Sequence, residues 1–104
     1  MAKARIDPGI CGFITNVTAH VVEDHQIQIR IESDCPHIQK LAERLKFVDV
    51  WEEVTYEGEI PTILLKGQEY CAHPACPVPA AIIKTLEVEA GLALPKDVVI
   101  HIEK

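Results

Sequence analysis

The residues of this chain with chemistry beyond packing are four cysteines and the histidines beside two of them. The densest stretch is Cys71-Ala72-His73-Pro74-Ala75-Cys76-Pro77-Val78-Pro79, which sets two thiols, an imidazole and three prolines directly before an apolar helix over Ala80–Ala90. Asp34-Cys35-Pro36-His37 forms a second thiol–helix junction, and Cys11 stands before Gly12 at the mouth of the first expected strand. A helix N-terminus carries partial positive charge and unpaired N–H groups. Both favour a thiolate over a thiol, which makes the sulfur a better metal ligand or nucleophile. Cys11, Cys35, Cys71 and Cys76 therefore form a candidate site for zinc or an iron–sulfur cluster, with His73 and His37, each two residues from a cysteine, as spare ligands. No C-x-x-C occurs, so the zinc-ribbon and thioredoxin signatures are absent, as is the tight cysteine spacing of ferredoxins.

Two other readings of the same thiols stay open. In a thiol-based redox protein or enzyme, Cys76 or Cys35 is the nucleophile, activated by its helix N-terminus and by His73 or His37. Cys71 and Cys76 are then the natural pair, since five residues across Pro74 permit disulfide contact without enforcing it. Alternatively the cysteines are small buried hydrophobes with no chemistry, and the protein is a non-catalytic interaction domain with Phe47, Trp51 and Tyr56 as anchors. No glycine-rich phosphate loop, serine nucleophile elbow or HExxH motif is present, and no reaction can be deduced. The acidic residues Glu52, Glu53, Glu57 and Glu59 read as a solvated face, and His20, His25 and His101 as solvent-facing, with a weak pairing of His20 and His101 across the sheet.

Bulk properties narrow the setting. A chain of 104 residues, 48% hydrophobic and 25% charged, is the size of a single α+β domain spanning residues 1–104. A net charge of −6 argues against a nucleic-acid partner, whose phosphates call for a basic face. The opening Met1-Ala2-Lys3-Ala4-Arg5 has no apolar leader and no stretch reaches the length of a membrane span, so the expected location is cytoplasmic, without a membrane partner. In that reducing compartment structural disulfides are disfavoured. A homo-oligomer or a protein partner stays open.

The elements that must position the thiols follow from periodicity. Phe13–Val22 alternates as a strand, with Phe13, Thr15, Val17, Ala19 and Val21 on one side. Glu23-Asp24-His25 is a polar turn, and Ile27, Ile29 and Ile31 alternate with polar residues as the second arm of a hairpin. Ser33-Asp34 offers capping side chains to a helix over residues 36–46, whose apolar stripe is Ile38, Leu41, Ala42 and Leu45. Phe47–Trp51 fits either a strand or a helix start, and Thr62–Lys66 a short strand or buried segment. A second helix starts near Pro77–Pro79, buries Ile82, Ile83, Leu86 and Ala90, and stops at Gly91. Val98, Ile100 and Ile102, alternating with Val99, His101 and Glu103, predict a last strand. The expected architecture is a two-layer α+β sandwich: a three- to four-stranded antiparallel or mixed sheet with two helices on one face.

At Pro8-Gly9-Ile10-Cys11-Gly12, Ser33-Asp34-Cys35-Pro36 and Cys71–Ala81 the chain resembles a small family of uncharacterised cysteine-containing proteins from anaerobic microbes, over nearly its whole length. The resemblance implies no activity, substrate or catalytic residue. It implies a setting in which an oxygen-sensitive cofactor is tolerated.

Overall fold

The computed structural model describes residues 1–104, and it is an α+β structure built on an antiparallel sheet. The sheet is a four-stranded meander in the order β1 (Ala2–Ile6), β2 (Thr15–Glu23), β3 (Gln26–Ser33), β4 (Phe47–Asp49). The β2–β3 hairpin expected from the alternation is its centre, turning at Asp24, which takes a positive φ of 45°. Between β3 and β4 runs α1 (Pro36–Arg44), and after β4 come α2 (Val50–Glu53), α3 (Thr62–Tyr70) and α4 (Val78–Glu89).

The two-residue period sends Val17, Ala19, Ile27, Ile29 and Val48 to one face of the sheet, where they are buried. Against them pack Ile38 and Leu41 of α1, Ile63 of α3, and Val78, Ile82 and Leu86 of α4. Side chains this deeply enclosed each contribute roughly 1.5–3 kcal/mol by leaving water. The opposite face carries Lys3, Thr18, His20, Gln28, Arg30 and Glu32 and is open to solvent. The helices thus cover one face only, as the sandwich requires.

Several elements differ from the sequence reading. Ala2–Ile6 is an edge strand, paired from Ala2 opposite Ala19 to Ile6 opposite Thr15; its inward residues Ala2 and Ala4 are too small to mark a strand by hydrophobicity. Phe47–Trp51 resolves into both alternatives, β4 followed by α2. Thr62–Lys66 is helical, not extended, because Ile63 and Gly67 form a buried i, i+4 pair and the helix start receives a cap from outside. Helix α1 uses neither Ser33 nor Asp34 as its N-cap residue: Cys35 occupies that position, and Ser33 supports it. In α4, Thr85 is buried, its hydroxyl donating to the Ala81 carbonyl at 2.8 Å. Gly91 ends α4 at a positive φ of 76°, as expected. The last strand is absent. Residues 94–104 have no regular structure and join neither edge of the sheet, and the expected His20–His101 pairing goes with the strand.

Candidate functional site

The sheet register decides where the thiols can meet. Ile6 pairs with Thr15, and Thr15 with Ser33, so the β1–β2 loop and the β3–α1 junction leave the sheet at the same end. The first carries Cys11 and the second Cys35. Cys35 is held there by its surroundings: the Thr15 hydroxyl donates to Ser33 Oγ at 3.0 Å, and the same oxygen accepts the Cys35 N–H at 3.1 Å. Thr15 is fully buried, so its hydroxyl is shielded from competing water.

Cys71 closes α3 as its C-cap, its N–H donating to the Gly67 carbonyl at 2.9 Å. The chain then turns, the Cys76 N–H reaching the His73 carbonyl at 3.4 Å, and enters α4 through Pro77. Cys35, Cys71 and Cys76 are half-buried and pack against the hydrophobic core. Burial pushes the Cys71 thiol up to about 12, with Cys76 beside it and Cys35 nearby adding to the shift. A thiolate at Cys71 would be poorly solvated and would face the other sulfurs, so Cys71 is protonated at neutral pH.

The remaining sequence candidates stand apart. Cys11 is exposed in the turn Gly9–Gly12, closed by the Gly12 N–H on the Gly9 carbonyl at 3.0 Å. His37, on the first turn of α1, and His73, in the turn before α4, are also exposed. No group of three or more His, Cys, Asp or Glu side chains is arranged to hold a metal ion. The structure thus sets Cys71 beside Cys76 at the α3–α4 connection, with half-buried Cys35 near enough to bear on the charge of Cys71, and leaves Cys11 exposed on a loop. All four cysteines are free. Chemically, such a place can supply soft sulfur donors or a dithiol pair.

Two carboxylates that the sequence assigned to no site anchor α3 and α4 at the ends remote from these thiols. Glu53 is 2% exposed, not part of a solvated face, and its Oε1 accepts the Ile63 N–H at 2.7 Å. It caps α3, whose N-cap residue, Pro61, offers no side-chain acceptor. Burial raises its pKa, against the lowering effect of the Ile63 and Thr62 hydrogen bonds. Glu89, at the far end of α4, accepts the N–H groups of Ala2 at 2.8 Å and Val21 at 2.9 Å. Burial works to raise its pKa too, but these two bonds and the terminal amine of Met1 outweigh it and hold the carboxyl below its usual range. No sequence motif marks either pairing, since each joins residues far apart in the chain.

Phe47, Trp51 and Tyr56, the candidate interface anchors, are exposed, and the Trp51 ring meets the His25 ring edge-on at 5.7 Å. No helix is long and apolar enough to cross a membrane.

No curated protein and no solved structure matches the chain. A family model described as a family of unknown function, DUF6951, matches residues 2–102, in keeping with the resemblance to an uncharacterised family. With nearly every residue inside that match, the chain belongs to this family of unknown function.

Proposed function

We propose that this protein binds a thiophilic metal ion or an iron–sulfur cluster through Cys35, Cys71 and Cys76, with Cys11 completing the set from its loop. The observation that carries the reading is that Cys35, Cys71 and Cys76 all pack half-buried against the core, with Cys76 beside Cys71 and Cys35 near enough to bear on its charge. Burial and sulfur–sulfur repulsion keep Cys71 protonated, and both are relieved when a cation takes the place of the protons. The donor set fits zinc or iron, which take three or four thiolates. Cys11 is exposed in a turn bracketed by Gly9 and Gly12, both at positive φ, at the end of the sheet from which Cys35 also leaves. A bound metal would supply structural rigidity or electron transfer, and the residues of the chain would hold it and exclude water.

The test is an anaerobic titration of reduced protein with cobalt(II), read by the thiolate-to-metal absorption. Cys35→Ser, Cys71→Ser and Cys76→Ser are each expected to weaken binding at least about tenfold, the scale of losing one ligand's contribution. Cys11→Ser decides whether the loop closes. Wild-type affinity in Cys71→Ser would remove the reading.

One observation favours a second reading. Cys76 lies beside Cys71, whose thiol is held protonated. Proximity allows thiol–disulfide exchange with Cys76 as the attacking sulfur and the protonated Cys71 as the resolving one, the dithiol becoming a disulfide and passing two electrons and two protons to a partner disulfide. A reversible Cys71–Cys76 disulfide, formed with an exchange partner and without metal, would favour it.

A further inference from the structure

The exposed C-terminal segment carries a run of apolar side chains that the fold leaves uncovered. Val98, Val99, Ile100 and Ile102 are 59–85% exposed, a rare condition for four large aliphatic residues within five positions. The segment is strand-like in two respects. Val98, Ile100 and Ile102 alternate with Val99, His101 and Glu103. His101 Nε2 meets Glu103 Oε1 at 2.8 Å, so side chains two residues apart share a face, as in an extended strand. Yet it pairs with nothing, and the molecule measures 43 Å along one axis against 28 and 27 Å along the others.

The sheet has a matching vacancy. Strand β1 is an edge: β2 flanks one side and no strand flanks the other. An open edge presents unpaired peptide groups to any strand that can reach it. Patterns agree between the two. On β1, Lys3 and Arg5 are exposed, while Ala2, Ala4 and Ile6 face the helix side. On the tail, Asp97, Val99, His101 and Glu103 share one face, and Val98, Ile100 and Ile102 the other. Laid on β1, the tail sets two carboxylates on the face of two cations and three aliphatic side chains on the face of the core. The charges are complementary: Asp97–Glu103 carries −2 and Ala2–Ile6 carries +2, counting Asp97 and Glu103 against Lys3 and Arg5.

We infer that residues 98–102 add as a strand to the β1 edge of a second copy of this chain, giving a dimer by reciprocal strand exchange. The occupant is a second copy because the tail is exposed and joins no strand of its own chain, while its pattern and charge complement the β1 edge that every copy carries. A two-fold arrangement satisfies both tails and both edges at once. This inference is independent of the thiol site.

The test uses the full chain. Sedimentation over a range of concentrations is expected to give a dimer, and hydrogen exchange to show slowed amides at 98–102 and in β1. The double variant Ile100→Asp with Ile102→Asp is expected to raise the dimer dissociation constant at least about a hundredfold, from the apolar burial it forfeits. Both positions are exposed in the single chain, so its circular dichroism stays unchanged. A monomeric wild-type protein overturns the inference, whether or not its tail amides are slowed, since slowed amides in a monomer mean pairing within one chain. A dimer that the double variant leaves intact, with unprotected tail amides, overturns it equally.

Discussion

Gly67 of α3 lies so close to Pro79 of α4 that a β-carbon at Gly67 would stand 2.7 Å from the Pro79 Cγ and 3.1 Å from its Cβ. This contact sets the spacing of the two helices whose facing ends carry Cys71 and Cys76. The proline ring cannot rotate away as a long side chain would, so the helices must part if position 67 gains a methyl. Gly67→Ala improves helix propensity by about 1 kcal/mol, but overpacking costs about 1–3 kcal/mol. The expected result is a net loss of stability in urea unfolding. It also weakens metal binding by the folded variant, because Cys71 and Cys76 move apart.

Glu53 is a capping residue for α3 that acts from ten positions upstream. Glu53→Ala leaves the Ile63 N–H without its acceptor in a buried place, at a cost of about 1–3 kcal/mol. Glu53→Gln keeps a carbonyl oxygen there and is expected to lose much less. The carboxyl's raised pKa gives the pH sense: folding favours its protonated form, so its ionisation disfavours the fold as pH rises through the carboxylate range. The stability gap between wild type and Glu53→Gln, measured at several pH values, should therefore shift toward the glutamine variant as pH rises. A gap independent of pH would contradict the burial argument.

The cysteines should react in the order of their surroundings. Cys11 is exposed and Cys71 is held protonated, with its pKa pushed up to about 12. Timed alkylation at neutral pH with mass mapping is expected to label Cys11 first and Cys71 last. An unfolded chain ionises Cys71 near its ordinary value of 9.0, while the folded chain keeps it neutral up to about 12. Between those values the unfolded state is favoured increasingly, so stability falls as pH rises. Cys71→Ser should flatten that alkaline decline.

Glu89 gives the opposite dependence. Its carboxyl is held below the usual range by the N–H groups of Val21 and Ala2 and by the terminal amine. Its contribution is therefore present above its unfolded pKa and is lost as pH falls through the folded one. Glu89→Ala is expected to cost on the order of 1–2 kcal/mol at neutral pH, with the difference from wild type vanishing in acid. Melting curves at pH 7 and pH 3 check both statements.

The hairpin and two of the helices were legible in the sequence because their apolar residues repeat at clean periods: Ile27 and Ile29 at two, Ile38, Leu41 and Leu45 at three to four. Strand β1 was hidden because alanine contributes little hydrophobic signal. Helix α3 was hidden because Ile63-Leu64-Leu65 is a continuous apolar run, which strands and helices share, and its start signal is a carboxylate in another helix. The tail behaves oppositely: Val98–Ile102 has the strand pattern and lacks the strand, since a pattern specifies which face is apolar but not which edge receives it.

The site was legible to a similar degree. The sequence located Cys35 and Cys76 at helix starts, as the structure does, and set Cys71 in a loop, whereas it is the C-cap of α3. That Cys35 comes near Cys71 depends on the packing of α1 against α3, which no spacing reveals. The Thr15–Ser33–Cys35 anchor was equally invisible, because it crosses the hairpin.

The most direct test of the thiol site is the metal and acid-labile sulfide content of protein purified without oxygen or chelator, for the wild type and for Cys76→Ser. The expected result is stoichiometric zinc, or iron with sulfide, in the wild type and its loss in the variant. Metal-free wild-type protein that is fully folded and stable under those conditions would contradict metal binding and leave the Cys71–Cys76 dithiol as the reading to pursue.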